Sequence, residues 1–375
     1  MSVKCQCIMD AMEKLAPCYL AESWDNVGLL LGEPQQEIHR VLVVLDVDDH
    51  AVELALREKV QLLVSHHPLI FKSLTALRTD TPVGRRLAQL IKQDIAVYSA
   101  HTNLDATVGG VNDALARALR LSDVKPLDIS YREPLVKLVV FVPVTHREMV
   151  WQAIADAGAG HIGNYSHCSF QTTGVGTFLP LNGAVPFIGQ LGTVEETQEV
   201  RLETIVREQM VSQVVQAMRA AHPYEEVAFD EYPLRNTGQT AGLGRVGILP
   251  DALPFEDFII HVKQALKLPW IRVAGKCLEP IRKVAVCGGS GAGYIAKAWA
   301  AGAQVLITGD VKYHEAQEAA ATGLVVLDAG HFATEYPVVA EVASYLRRQA
   351  AEEGWGITPE AILNDGGQTD IFVGM

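Results

Sequence analysis

The stretch Val64-Ser65-His66-His67-Pro68-Leu69-Ile70-Phe71 places two adjacent histidines at the end of an apolar run. That run, residues 60–64, predicts a buried strand. Neighbouring side chains on a strand point to opposite faces, so both histidines can serve one site only where the strand has ended. Pro68 favours such an end because it has no amide hydrogen to donate to a neighbouring strand. These eight residues alone leave a pair of solvent-facing loop histidines equally open.

Strands and helices alternate on both sides of this stretch. Apolar runs predict strands at 41–45, 61–64 and 95–99, with helices ending near residue 59 and spanning 83–93. This alternation indicates an α/β fold with a largely parallel sheet covered on both faces. Ligands of such sheets bind beyond the carboxyl ends of the strands, which is where His66-His67 and His101-x-x-x-Asp105 lie.

The same pattern returns near the end of the chain, with predicted strands at 283–287, 304–308 and 324–327. Residues 60–65 align with residues 303–308, which places His67 opposite Asp310. The next strand of each half ends in a histidine followed four residues later by a carboxylate, as in His331-x-x-x-Glu335. We interpret this as an internal duplication that builds one site from two halves.

The segment between the two halves has a different pattern. A strand at 137–143, a helix at 149–157, a glycine-rich stretch at 158–176, a strand at 199–206 and a helix at 210–221 suggest a ferredoxin-like α+β module of about a hundred residues. We predict limits of 1–132 and 237–375 for the two halves and 133–236 for the module. The glycine-rich residues 242–247 are predicted to be a connector.

Composition limits the classes of function. The chain has 375 residues, of which 49% are hydrophobic and 20% charged, and this suits two or three globular domains. A net charge of −13 argues against a non-specific nucleic-acid surface or an anionic-membrane surface. Because there is no long apolar run, we expect a cytoplasmic protein without a membrane span. The six cysteines form no CxxC pair and are expected to be reduced, with metal binding by Cys5 and Cys7 left open.

The histidines and carboxylates at the predicted strand ends favour metal binding. Five candidate ligands emerge, with one carboxylate free to bridge: His66, His67, Asp105, His331 and Glu335. Imidazole and carboxylate donors without cysteine suit two divalent ions of zinc, iron or manganese, which would hold a hydroxide between them.

His101 and His314 are predicted to carry protons or contact substrate, and a loop histidine with a structural hydrogen bond is the alternative for each. Trp24 and Asp25 are candidates for a pocket wall, and a Trp24 side chain that fills the end of the sheet is an equal alternative. The loop at 287–293 matches neither GxGxxG nor the Walker spacing, so a tight turn is favoured over a phosphate site.

Five motifs together resemble the Nif-three-like family: Ser-Trp-Asp-Asn-Val-Gly at 23–28, Ser-His-His-Pro at 65–68, His-Thr-Asn-Leu-Asp at 101–105, Gly-Asp-Val-Lys-Tyr-His at 309–314 and His331-x-x-x-Glu335. Members of that family are called dinuclear metal centre hexameric proteins or GTP cyclohydrolase 1 type 2 homologues. The resemblance implies a toroidal homohexamer, which can be a dimer of trimers, with dimetal sites facing an internal cavity. It assigns the metal ligands to the same five residues.

Residues 135–235 are similar to the PII- or CutA-like insert of longer bacterial members of that family. The GTP cyclohydrolase label implies hydrolytic opening of the guanine imidazole ring. Our leading hypothesis is a metal-dependent hydrolase acting on a nucleotide or related small molecule. The alternative is a non-catalytic metal-binding ring with a regulatory, chaperone-like or other protein-binding role.

Overall fold

The computed structural model describes residues 2–357, 362–364 and 368–372. The chain divides into two compact units. The first combines Met1–Tyr131 with Ala241–Met375, and the second is Arg132–Thr240. The sequence placed the corresponding limits at 133 and 236.

The N-terminal segment of the first unit alternates strands and helices as expected. Its strands are β1 (Val3–Lys4), β2 (Gly28–Leu31), β3 (Glu37–Ile38), β4 (Val41–Val44), β5 (Leu62–Ser65), β6 (Ala96–Ser99) and β7 (Ser122–Arg132). Its helices are α1 (Cys5–Leu15), α2 (Asp49–Arg57), α3 (Pro82–Lys92), α4 (Thr102–Ala106) and α5 (Val111–Ala118). The Asp48 side chain caps α2 and the Thr81 side chain caps α3, each by accepting a backbone N–H of the first turn.

The second unit contains four strands and two helices: β8 (Leu135–Pro143), α6 (Arg147–Asp156), β9 (Ser169–Phe178), β10 (Glu195–Arg207), α7 (Val211–Ala221) and β11 (Phe229–Pro233). The strands form one sheet in the order β11-β8-β10-β9, and all neighbours are antiparallel. Val140, Leu202 and Val214 belong to the core between this sheet and its helices. The glycine-rich stretch at 158–176 includes most of β9.

The C-terminal segment completes the first unit. Its elements are β12 (Thr240–Leu253), α8 (Phe255–Ala265), β13 (Arg272–Ala274), β14 (Ile281–Val286), α9 (Ile295–Ala300), β15 (Val305–Thr308), α10 (Tyr313–Thr322), β16 (Val325–Asp328), α11 (His331–Glu335), α12 (Pro337–Glu352) and β17 (Ile362–Asn364). The prediction of a connector at 242–247 was wrong, because these residues lie in β12, which pairs with β14. A β-carbon at Gly242 would lie 1.9 Å from the Asp128 carbonyl oxygen, so glycine here permits close approach of two backbones.

The first unit contains two larger sheets with similar pairing. One has the order β17-β4-β5-β6-β2, in which β4, β5 and β6 are parallel and β2 is antiparallel to β6. The other has the order β13-β16-β15-β14-β12-β7, in which β14, β15 and β16 are parallel and β13 is antiparallel to β16. Each of these parallel strands is buried along its length, apart from isolated positions in β14.

Gln61 and Gln304 occupy matching positions just before β5 and β15. The Gln61 side-chain oxygen accepts the Arg40 backbone N–H, and the Gln304 side-chain oxygen accepts the Lys283 backbone N–H. The carbonyl of each glutamine also accepts a backbone N–H from the start of the following parallel strand. A glutamine therefore provides hydrogen-bond acceptors for backbone N–H groups at the equivalent point of each sheet.

Within the part of the chain that the structure describes, no helix is long and apolar enough to cross a bilayer.

Candidate metal centre

Three short segments at strand ends bring the predicted ligands of the first unit together. His66 and His67 follow β5. After β6, His101 is the N-cap residue of α4 and Asp105 lies within that helix. After β16, helix α11 carries His331 and Glu335. Their donor atoms form three overlapping groups, and within each group all the atoms lie within 4.8 Å of one another. The groups are His66, His67 and His101; His67, His331 and Glu335; and His66, Asp105 and Glu335.

Glu335 connects two of these groups. Its Oε2 lies 3.0 Å from Nε2 of His67 and 3.1 Å from Nε2 of His331. Its Oε1 lies 3.8 Å from Nε2 of His66, which is itself 3.7 Å from Oδ1 of Asp105. One carboxylate thus directs its two oxygens toward two different sets of ligands.

Each of the four imidazoles uses Nδ1 for a hydrogen bond that turns Nε2 toward the centre. The acceptors are the Ala100 carbonyl oxygen for His66 (2.9 Å), Asp46 for His67 (2.9 Å), Asp25 for His101 (2.8 Å) and Asp310 for His331 (2.7 Å). Because each acceptor needs a proton on Nδ1, the neutral ring presents an unprotonated Nε2. This is the arrangement by which an outer carboxylate or carbonyl orients a metal-binding histidine.

Several donor atoms of this cluster are buried without hydrogen bonds, as expected of atoms that bind a cation. Among the residues that the structure describes, His66 Nε2, Asp105 Oδ1 and Glu335 Oε2 are buried without a hydrogen-bond partner. The short contacts of Glu335 Oε2 with imidazole nitrogens do not have hydrogen-bond geometry. Burying such atoms unpaired is costly, and a divalent ion accepts lone pairs from all of them. The residues therefore fit a metal site.

The electrostatics of the cluster point the same way. Burial raises the pKa of Asp105 to about 6. Burial opposes protonation of His67, but the adjacent Asp46 and Glu335 outweigh it and raise the pKa of His67 to about 10. Glu335, reinforced by Asp310, raises the pKa of His331 to about 9. Burial opposes ionisation of Glu335, yet the imidazoles of His331 and His66 hold the pKa of its carboxyl well below its usual range. When no metal is bound, the raised pKa values of His67 and His331 favour a proton on each of these two rings, and a divalent ion would displace the proton from Nε2.

Residues 3–364 match the family model Duf34/NIF3 (NGG1p interacting factor 3). The chain belongs to the NIF3 family. It is 47% identical over 326 residues to a "GTP cyclohydrolase 1 type 2 homolog" of Halalkalibacterium halodurans, covering 87% of this chain and 88% of that protein. It is 46% identical to the protein of the same name from Bacillus subtilis, covering 88% and 89%. A solved Bacillus cereus protein "related to NIF3" superposes with a TM-score of 0.92 at 42% identity, covering 100% of this chain and 99% of that one.

Gly289 in this NIF3 chain lets Glu335 reach the centre. A β-carbon at Gly289 would lie 2.2 Å from Glu335 Oε1, and the residue has a φ of +63°. The backbone amides of the glycine-rich loop are already hydrogen-bonded. They donate to side-chain oxygens, Gly288 to Asn112, Gly289 to Thr334 and Gly291 to Thr308. These amides have no hydrogen left for a phosphate, and this supports a tight turn.

The two predicted catalytic histidines lie in different places. His101 belongs to a group of donor atoms with His66 and His67, so it is positioned as a further candidate ligand as well as a proton carrier. His314 lies exposed at the start of α10. Within the described ranges, its recorded contact is with the ring of Tyr313, and it belongs to none of the three groups.

Two residues that orient histidines were not identified as site residues from the sequence. Asp46 is one of three aspartates at residues 46–49. Asp310 was noted only as the counterpart of His67 in the duplication. Their positions immediately after β4 and β15 were the available signal, since parallel strands end at one edge of a sheet. Asp310 also has a φ of +55°, an uncommon conformation outside glycine that turns its side chain to His331.

Proposed function

We propose that this protein is a dinuclear-metal hydrolase that acts on a nucleotide or related small molecule. The observation that carries the proposal is the convergence of four Nε2-presenting histidines on Asp105 and Glu335, with three buried donor atoms left unpaired. Two of the donor groups share Glu335, which supports two ions bridged by that carboxylate. Nitrogen and oxygen donors suit zinc, iron or manganese.

A pair of divalent ions supplies an activated water at neutral pH and electrostatic stabilisation of the reacting oxygens. His66 and Glu335 are buried around that position and Asp105 is half-buried, which limits the access of bulk water. His101 is held by Asp25, whose pKa stays well below its usual range through the His101 and Thr102 hydrogen bonds despite burial. An imidazole fixed in this way is suited to moving a proton at Nε2 when it does not bind metal. His314 stays a predicted proton carrier.

The rim of the centre supports a planar substrate. Trp24 is 58% exposed and Phe71 is 46% exposed, and the centroid of each ring lies within 6.3 Å of that of His101. The two rings contact each other edge to face at 5.9 Å. Stacking a base on an aromatic side chain contributes about 1–3 kcal/mol. Trp24→Ala should therefore raise KM for a nucleotide substrate at least fivefold while kcat changes less, as measured by steady-state kinetics with Trp270→Ala as a control.

The remaining features of the proposal concern architecture. The matching strand order and the Gln61 and Gln304 hydrogen bonds support an internal duplication in which each half contributes ligands. The β-α-β-β-α-β order of the second unit supports a PII- or CutA-like module within the NIF3 chain. The resemblance of the sequence motifs to the Nif-three-like family implies a homohexamer, and we include that assembly in the proposal.

The decisive experiment compares Glu335→Ala with Glu318→Ala, an exposed glutamate on α10. Each protein is loaded with manganese, iron or zinc, its metal content is measured by elemental analysis, and turnover of GTP and other nucleotides is followed. We expect Glu335→Ala to lose both metal and turnover and Glu318→Ala to keep both. If the metal-free variant matches the parent in turnover, the mechanism is wrong. If the metal-loaded parent turns over none of a broad panel of nucleotides and phosphoesters, the non-catalytic ring is the better description.

A further inference from the structure

The second unit encloses a cavity of about 630 Å³ on the face of its sheet that lies opposite the helices. Alternate residues of β10 show the two faces: Leu202 packs in the core against the helices, whereas Glu199 and Arg201 line the cavity. The segment between β9 and β10 covers part of it, and the Val185 N–H of that segment donates to Glu225. A cavity of this volume takes a small organic ligand.

A buried carboxylate forms the polar feature of this cavity. Glu199 is only 9% exposed, and its Oε1 accepts the Tyr224 hydroxyl at 3.0 Å. Within the described part of the second unit, the Tyr224 hydroxyl is the donor found for this carboxylate, which also lines the cavity. Gly176 on β9 makes room for it, because a β-carbon there would lie 2.2 Å from Glu199 Oε2. A buried carboxylate that receives one hydrogen bond from a neutral donor attracts a cation strongly, because the cation compensates its charge.

The charges and rings around Glu199 select the same kind of ligand. Glu225 and Glu226 also line the cavity, while the one lining cation, Arg201, is engaged with Glu203 at 3.3 Å. Aromatic side chains form much of the wall: the ring centroids of Phe178 and Phe187 lie 6.1 and 6.3 Å from that of Tyr224. Carboxylates beside aromatic faces recognise organic ammonium groups through charge-assisted hydrogen bonds and cation–π contacts.

We propose that this cavity, which we call the Glu199 pocket, binds an organic cation: an amine with an apolar or aromatic body whose ammonium group meets Glu199. The ammonium donates to Glu199 Oε2, and the body lies against the aromatic wall. This binding site is separate from the candidate metal centre in its residues and its chemistry.

The test uses two fluorescent probes that share one aromatic body. Dansylcadaverine carries a primary ammonium, and its N-acetyl derivative is neutral. The full-length, chelator-treated protein is titrated with each at pH 7.5, and the rise in dansyl emission gives Kd. We expect the cation to bind at least tenfold more tightly than the neutral probe. Glu199→Gln should bring the two Kd values within about twofold of each other, whereas Glu196→Gln, on an exposed position of the same strand, should keep the preference.

A second variant fills the pocket and leaves Glu199 unsubstituted. Gly174 lines the cavity, and a β-carbon there has no neighbour within 4 Å, so Gly174→Leu should fold normally and lose both probes. Circular dichroism checks that each variant is folded. Equal affinity of the parent for both probes, or a cation preference that survives Glu199→Gln, would overturn the inference. Absence of binding to either probe, as expected if a second copy of the chain covers the pocket, would overturn it too.

Discussion

Asp310 is not one of the predicted metal ligands, and it influences the centre through its hydrogen bond with His331. Its carboxylate accepts the Nδ1 proton of His331 at 2.7 Å and also accepts the Ser290 hydroxyl. These contacts fix the ring so that Nε2 faces Glu335. Removing an orienting carboxylate of this kind lowers metal affinity about 10- to 100-fold.

We therefore predict that Asp310→Asn lowers metal affinity about 10- to 100-fold. The amide keeps the size of the side chain, but its oxygen carries no negative charge to hold the imidazole. Competition with a chromogenic chelator measures the affinity, with Asp251→Asn at an exposed position of β12 as the control. Unchanged affinity in Asp310→Asn would show that His331 does not depend on this hydrogen bond.

At the residue scale, sequence reasoning could find the donor atoms but not the groups that orient them. His66, His67 and the two His-x-x-x-carboxylate pairs stand out because unusual side chains follow predicted strands. Asp46 is one carboxylate in an acidic turn that contains three, and only the turn's conformation selects the one that meets His67. Backbone conformation after a strand is set by tertiary packing, which single-sequence patterns do not report.

At the scale of elements, a buried arginine joins β12 to α5 in the first unit. Arg245 is 2% exposed and makes two hydrogen bonds to Asp113, at 2.9 and 2.8 Å. Its remaining donors meet the backbone carbonyls of Gly242, Gly244 and Thr107. The buried guanidinium is therefore fully paired, and losing it would leave Asp113 and three carbonyls uncompensated.

Arg245→Met should lower the free energy of unfolding by about 3–5 kcal/mol, because breaking a buried ion pair strands the other charge. Urea denaturation of the first unit, followed by tryptophan fluorescence, measures the change. Arg117→Met is the matched control, since Arg117 forms an exposed pair with Glu341 that contributes about 1 kcal/mol or less. Equal effects of the two substitutions would contradict the importance of burial.

His222 links the end of α7 to β8 in the second unit. Its Nε2–H donates to the Phe141 carbonyl oxygen at 3.0 Å, and its Nδ1 accepts the Tyr224 backbone N–H at 3.1 Å. This pattern requires the neutral ring. Burial, despite the Phe141 hydrogen bond, holds the pKa of His222 below its ordinary value of 6.5.

Because the unfolded chain takes up this proton first, the stabilisation from His222 is present above pH 6.5 and is lost as the pH falls below it. Hydrogen exchange of β8 peptides, corrected for intrinsic rates, should show less protection at pH 5.5 than at pH 7.5. In His222→Gln this loss should be smaller, whereas His161→Gln, at an exposed position, should behave like the parent. An identical pH dependence in His222→Gln and the parent would refute the role of His222.

The alternating strands and helices of the first unit were predictable because buried parallel strands are continuous apolar runs. β12 was not, because its three glycines between 241 and 247 resemble a connector, and only pairing with β14 makes them a strand. β9 also contains glycines, at 174 and 176. Both strands use glycine where another group comes close, and that need arises only in the folded chain.

At the scale of the whole molecule, the predicted ligands of the candidate metal centre all come from one chain. The three groups of donors are complete without a partner subunit. Large apolar side chains are nonetheless exposed in the first unit, among them Leu278, Trp299 and Tyr313. Exposed apolar surface of this kind favours association with further copies of the chain.

The motifs of the sequence imply a homohexamer by their resemblance to the family, and we predict that this assembly does not depend on metal. Light scattering after size-exclusion chromatography should give six times the chain mass of 40.7 kDa. Treatment with a chelator should leave that mass unchanged, because the ions are expected to join segments within a chain and not to join chains. A mass that falls on chelation would mean that metal bridges subunits, and a stable monomer or dimer at micromolar concentration would contradict the ring. Retention of the hexamer in Glu335→Ala would separate assembly from metal binding in the same molecule.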